Sequence, residues 1–299
     1  MSIQTPQQTQ HSSLNHLSTH DQFISILAHD GMQLKGIRYN PVGPVRGSIL
    51  LNAGTGIPQK FYTGFASYLA ERGYGVLTYD YRGVGESRPS SLAGYRASKM
   101  DWGKLDMTAA FSTLQHLWPE HPHYVFGHSV GGQLLALMEN NESIDAVATY
   151  GSGYGYWGNL KGSYRYFVGL LWYVGIPVMS SLFRYVPASK LGLGEDLPSG
   201  VARDWARWGK RSDYFTSEIG KHPGFQNLRC KWKAFLAEDD DIATPGNALP
   251  LYEMYPNIDL DVETLSPEAL GARELGHLRF FSRSNRDAWH IVADWFDQQ

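Results

Sequence analysis

Three residues, Ser129, Asp240 and His277, stand in the chain order and in the local settings that acyl chemistry through a serine requires. Ser129 is the centre of Gly127-His128-Ser129-Val130-Gly131, which follows a short apolar run and leads into a helix-period pattern reaching Leu137. A serine at a sharp strand-to-helix turn sits on strained backbone, and only very small side chains fit two residues to either side. The N–H of Val130, at the start of the helix, is placed to donate to an oxygen that becomes negative during attack. His277 is expected to take the serine proton as general base and return it to the leaving group. A carboxylate must then accept the other imidazole N–H, fix its tautomer and stabilise the imidazolium. Asp240 is the candidate, with Asp239 and Asp241 one position to either side.

Each of these signals has a plainer reading. Gly-x-Ser-x-Gly occurs often in ordinary glycine turns, and a lone histidine beside apolar residues is more often simply packed. Here the strand before the motif, the helix after it, and the later acid and histidine favour the chemical reading. A second N–H donor is expected from Asn52-Ala53-Gly54-Thr55-Gly56, where small residues let backbone approach the oxyanion. Gly54 is the expected donor and Thr55 the alternative, since one sequence does not fix the loop's register. The four acids at 238–241 suggest a metal, but consecutive side chains point apart and the spacing of a calcium loop is absent. No metal and no cofactor are therefore expected.

These residues need a frame. Phe23-Ile24-Ser25-Ile26-Leu27 and Gln33-Leu34-Lys35-Gly36-Ile37-Arg38-Tyr39 flank Asp30-Gly31, which signals an antiparallel hairpin. Apolar runs at 48–51, 74–79, 124–126 and 144–150 read as buried strands, with helical spacing between them at Phe61, Phe65, Tyr68 and Leu69. Another helix runs through Leu105, Ala109, Leu114 and Leu117, with Asp101 as its cap. Alternating strands and helices imply a mostly parallel sheet covered on both faces. Asp80 and Arg82, in the turn after 74–79, are expected to satisfy loop backbone groups and hold the rim.

The rhythm stops at Gly151 and resumes at Lys231-Trp232-Lys233-Ala234-Phe235-Leu236, which leads directly to Asp240. Residues 151–224 show no alternating strand signal but many aromatics, among them Tyr154, Tyr164, Trp172, Trp205 and Trp208. They read as a mostly helical lid forming the apolar wall of a pocket. Within it, residues 166–183 carry no formal charge, close to the lower limit for a membrane span. Gly169, Gly175 and Pro177 interrupt that stretch, so two short buried helices are expected, with an interfacial segment that dips into lipid as the minority reading. An edge strand at 260–265 precedes the His277 loop, and Trp289, Val292, Trp295 and Phe296 share one face of a closing helix.

Composition narrows the class. The chain has 299 residues, 42% of them hydrophobic and 18% charged, with a net charge of −3, so nothing invites nucleic acid. Residues 1–20, rich in Gln, Ser, His and Thr, read as a disordered tail without a secretory signal. The single cysteine, Cys230, points to a packed thiol in a reducing compartment, hence a cytoplasmic protein. The expected organisation is a tail at 1–20, a core at 21–150 and 225–299, and an inserted cap at 151–224. Oligomeric state is not legible.

With these residues in hand, the chain resembles the α/β-hydrolase superfamily over nearly its whole length after the tail. The resemblance rests on Gly127-His128-Ser129-Val130-Gly131, on Asp80-Tyr81-Arg82-Gly83-Val84-Gly85-Glu86-Ser87, on Asp240 after its strand and on Gly276-His277. It implies an α/β fold with an eight-stranded, mostly parallel sheet, a cap after the sixth strand, and a Ser129, His277, Asp240 triad. Many members begin the oxyanion loop with His-Gly; the sequence at 52–56 looks closer to homoserine acyltransferase relatives. The expectation is a serine hydrolase of the esterase, lipase and serine aminopeptidase-like branch, cleaving a carboxylic ester of an apolar small molecule or lipid. Acyl transfer to an alcohol or amine stands beside it. So does aminopeptidase action, which asks for an acid such as Glu195, Asp196 or Asp204 to hold a substrate amine. A non-catalytic binding protein would be expected to lack part of the triad, and this chain retains all of it.

Overall fold

A computed structural model describes residues 21–299; the expected tail at 1–20 lies outside the described residues. Among the described residues ten strands are formed: β1 (Gln22–Leu27), β2 (Gln33–Tyr39), β3 (Gly47–Asn52), β4 (Tyr74–Tyr79), β5 (His123–His128), β6 (Ala146–Tyr150), β7 (Tyr185–Val186), β8 (Leu197–Pro198), β9 (Lys231–Ala237) and β10 (Asp259–Leu265). Eight of them make one sheet in the order β1-β2-β4-β3-β5-β6-β9-β10. The β1–β2 and β2–β4 pairs are antiparallel and all the others parallel. This is the expected α/β-hydrolase architecture.

Burial follows position in the sheet. Every residue of β3, β4 and β6 is buried, which is why these strands read as unbroken apolar runs. At the edge, β10 is exposed along all but its last residue, and Lys233 of β9 pairs with its Asp261 and Glu263. Charge on an exposed edge discourages another chain from adding a strand.

Between β6 and β9 the chain is mostly helical, but two local expectations change. The short antiparallel pair β7–β8 stands where no strand signal is legible, because two-residue strands are too short to show alternation. Residues 166–183 are not two buried helices. Helices Tyr164–Leu170 and Ile176–Leu182 are joined through one wider helical turn at Leu171–Gly175, and Pro177 falls in the first turn of the second, where its missing N–H is not needed. Their outer face is open: Tyr166, Leu170, Tyr173, Val178 and Leu182 are all exposed, Leu182 to 70%. Among the described residues no helix is long and apolar enough to cross a membrane.

A third correction concerns Asp101. The cap of the helix that begins at Lys99 is Ser98, whose side chain accepts from the Asp101 N–H while the Asp101 carboxylate accepts from Ser98. Asp101 is thus the reciprocal member of a capping box.

Candidate active site

Strand order brings the chemistry together. β3, β5, β6 and β9 are consecutive neighbours in the sheet, so the loops leaving their C-terminal ends share one rim. Those loops carry residues 52–56, Ser129, Gly151 and the 239–240 pair.

Ser129 occupies the turn between β5 and the helix Val130–Gln133 with φ 52° and ψ −115°, a conformation that costs a non-glycine residue energy. Its N–H donates to the Tyr150 carbonyl of the neighbouring strand (3.1 Å). The flanking glycines are forced by crowding. A Cβ on Gly131 would lie 2.2 Å from the Asn52 carbonyl oxygen, and one on Gly127 would lie 2.7 Å from the Gly132 nitrogen. The helix is shorter than the sequence pattern suggests. It breaks at Leu134 and continues as a tighter turn over Leu135–Leu137.

His277 and Asp240 form a directed pair. Asp240 Oδ2 lies 2.7 Å from His277 Nδ1, while Oδ1 accepts the N–H groups of Ile242 (2.7 Å) and Ala243 (3.0 Å). Burial alone would raise the Asp240 pKa, but the imidazole and the two N–H donors outweigh it and hold it below the ordinary value. Asp240 is therefore an acceptor, and the proton between the pair sits on Nδ1. Gly151, at φ +60°, closes in on this pair. A Cβ there would stand 3.1 Å from His277 Nδ1 and 3.2 Å from Asp240 Oδ2.

The backbone around His277 is tied down by side chains absent from the expected site. Asp239 accepts the N–H groups of Leu275 (2.9 Å) and Gly276 (3.0 Å), and the Tyr150 hydroxyl donates to the Gly276 carbonyl (2.6 Å). His128 Nε2 donates to the His277 carbonyl (2.9 Å), and a carbonyl can only accept. His128 Nδ1 is then an acceptor, and the Tyr62 hydroxyl donates to it at 2.6 Å. Tyr62 in turn accepts the N–H of Gly54 (2.9 Å). Burial, reinforced by nearby His277, pushes the His128 pKa down to about 3, and burial holds the Tyr62 phenol far above its ordinary range. Both ends keep the proton states this chain of bonds needs.

That chain of bonds also corrects one expectation. The Gly54 N–H is spent on Tyr62 and is not free to serve as an oxyanion donor in this structure. Thr55, the alternative, lines the cavity, and its hydroxyl accepts a bond from Lys99 Nζ (3.2 Å). Val130 is the first residue of its helix, where no carbonyl one turn earlier takes its N–H. The bonds that give Tyr62 and Asp239 their roles around His277 are not local, since His128 lies 66 residues from the first and Leu275 36 residues from the second.

Ser129 and His277 face a common cavity of about 170 Å³, and no hydrogen bond joins them among the described residues. Its walls include the apolar and aromatic side chains of Ile57, Tyr154, Tyr164, Leu193, Trp205 and Ile242. Such an arrangement can activate a hydroxyl and exclude water around it. Asp80 and Arg82 lie beside this rim in other roles. Asp80 accepts from Gln59 and the Glu86 N–H, and Arg82 pairs with Asp30 and Asp106. The candidate amine-holding acids are also engaged elsewhere. Glu195 accepts the Gly85 N–H, Asp196 bonds Ser189, and Asp204 accepts the Lys99 N–H and pairs with Arg207. Among the described residues no group of His, Cys, Asp and Glu is arranged to hold a metal ion.

A family described as serine aminopeptidase, S33, matches residues 43–184, just under half of the chain. No curated protein matches the sequence. Among solved structures, a soluble variant of monoglyceride lipase from Saccharomyces cerevisiae, in complex with a substrate analog, superposes with a TM-score of 0.64 at 16% identity, covering 94% of this chain and 96% of that one. A highly thermostable carboxyl esterase from Bacillus coagulans, in complex with glycerol, gives 0.63 at 13% identity, with 94% and 99% covered. A monoacylglycerol lipase from Paleococcus ferrophilus gives 0.59 at 15%, with 89% and 99% covered. At these identities the likeness is one of fold.

Proposed function

We propose that this chain is a serine hydrolase of the α/β-hydrolase superfamily that cleaves a carboxylic ester of a small molecule through an acyl-Ser129 intermediate. The observation that carries the reading is the aligned pair of His277 and Asp240 facing the same cavity as a serine on strained backbone. In the proposed sequence His277 Nε2 takes the Ser129 proton as Oγ attacks the ester carbonyl. The carbonyl oxygen, now negative, accepts from the Val130 N–H and from Thr55, which replaces the engaged Gly54. Collapse expels the alcohol with the proton from His277, and a water activated by the same imidazole then releases the acid.

No cofactor enters these steps. The helical segment between β6 and β9 serves as the cap, its aromatic residues walling the cavity. The aminopeptidase reading finds no carboxylate on the cavity wall among the described residues. Acyl transfer uses the same first half-reaction and differs only in the acceptor.

The test is initial rate on 4-nitrophenyl esters of increasing acyl length, wild type beside Ser129→Ala, with fluorophosphonate labelling of both. Turnover and labelling by wild type are expected, with a loss of about 10⁴- to 10⁶-fold in kcat for the variant. Equal turnover by Ser129→Ala would remove Ser129 as nucleophile. Labelling of Ser129 without ester turnover, with product appearing once an alcohol or amine is added, would move the assignment to acyl transfer.

A further inference from the structure

The cavity wall holds one cation, and little answers it. Lys99 is the only lysine or arginine among the described lining residues, and Asp and Glu are absent from that set. It is 1% exposed. Its Nζ donates to Thr55 Oγ1 at 3.2 Å and lies 5.2 Å and 5.8 Å from the ring centroids of Trp205 and Trp208. Asp204, the acid that acts on it, spends Oδ2 on the backbone N–H of Lys99 and Oδ1 on Arg207. An ammonium has three donors, and only one of these finds an acceptor among the described residues. Burial lowers its pKa to about 7, with Asp204 pulling the other way.

Such a group costs stability, because a buried cation whose only acting acid is already engaged by Arg207 and a backbone N–H loses hydration and regains little of it. Holding Thr55 in place does not require a cation, since a neutral amide could donate the same bond. What a neutral side chain could not supply is a positive charge with two free donors inside the chamber that contains Ser129.

We propose that Lys99 forms an anion subsite in the Ser129 cavity and that the substrate is a short ester carrying a carboxylate. The proposal rests on Ser129 as the nucleophile. A single ammonium matches a carboxylate's single charge; a phosphate dianion would ask for an arginine or a nest of N–H groups beside it. Apolar walls at Ile57, Leu193 and Ile242 take the carbon chain, and the small volume keeps that chain short. The carboxylate accepts two N–H bonds from Lys99 and is unchanged by the reaction. The bond that breaks is the ester bond, and the proton taken from Ser129 leaves with the alcohol.

The experiment compares matched esters of equal length. For the acyl side these are 4-nitrophenyl hemiglutarate against 4-nitrophenyl valerate, and for the alcohol side carboxymethyl butyrate against propyl butyrate. The readout is the ratio of kcat/KM for the charged over the neutral ester, in wild type, Lys99→Gln and Lys99→Met. A charge-assisted contact predicts a wild-type ratio of about ten or more in one pair, falling to about one in both variants. A wild-type ratio near one in both pairs, or a ratio that survives loss of the lysine, overturns the subsite. Neutral esters cleaved with Ser129 dependence but no charge preference would sink the subsite alone. If no ester turns over and Ser129 does not label, the hydrolase reading fails first. The subsite is then decided by calorimetric titration of Ser129→Ala with glutarate: binding that Lys99→Gln abolishes upholds it, and no binding overturns it.

Discussion

The floor and the roof of the cavity are built on opposite rules. On the floor, the loops leaving β5, β6, β9 and β10 have their polar groups answered within the protein: Asp240 by three donors, Asp239 by two, and the Gly276 and His277 carbonyls by Tyr150 and His128. The roof, the helical segment between β6 and β9, turns Tyr166, Leu170, Val178 and Leu182 to the outside. Trp205 and Trp208, on the same segment, cover a lysine with one hydroxyl for company. A fully satisfied network fixes one geometry, whereas unsatisfied groups are free to be completed by a ligand. On the proposed function, the difference separates residues that position chemistry from residues that choose what undergoes it.

The largest break in this contrast comes from Asp240. Asp240→Asn removes the acceptor that fixes the His277 tautomer, and kcat is expected to fall by about 10⁴-fold with the fold intact by circular dichroism. Asp239→Asn comes next. It keeps the shape but weakens two bonds to the Leu275 and Gly276 N–H groups just before His277, and a displacement there is expected to cost about 10²-fold in kcat with KM little changed.

Lys99→Met sharpens the other side of the comparison through stability. In the fold the lysine loses its proton near pH 7, whereas the ordinary value is 10.5, so between these the unfolded chain binds more protons. The wild-type penalty is thus complete below about pH 7 and shrinks as pH rises towards 10.5. Melting temperatures of Lys99→Met are expected to exceed wild type most at pH 6 and to converge by pH 10. A gap that widens with pH would mean the lysine is not held as a costly cation. The smallest effect belongs to the roof's outer face: Leu170→Ser with Leu182→Ser is expected to change unfolding free energy by no more than about 0.5 kcal/mol per site in urea titration.

How much of this was legible follows from the range of each interaction. The sheet could be read because β3, β4 and β6 are buried on both faces, and continuous apolar runs record that directly. Ser129 could be read because its constraints are local: Gly127 and Gly131 are needed by backbone packing within a few residues and by Asn52 beside them. Chain order alone points to His277 and Asp240, whose side chains lie 2.7 Å apart. Tyr62, Asp239 and Lys99 were out of reach, since each matters through a partner on a distant strand end or helix. The bond from the Gly54 N–H to Tyr62, only 8 residues along the chain, is not legible either, as nothing in the sequence between them announces it. The open face of the helices at 164–182 was hidden too, because an apolar stretch with glycines and a proline reads the same whether its outer side is covered or bare.

The bonds running from Gly54 through Tyr62 and His128 to the His277 carbonyl also set limits on chain length. Together the side chains of Tyr62 and His128 span a fixed gap between two loops that are distant in sequence, so neither loop can gain or lose a residue without unmaking a buried bond. Insertions at 52–56 or 275–277 are therefore excluded by geometry. The turn at Gly192, where an added Cβ would meet nothing within 4 Å, has room to grow.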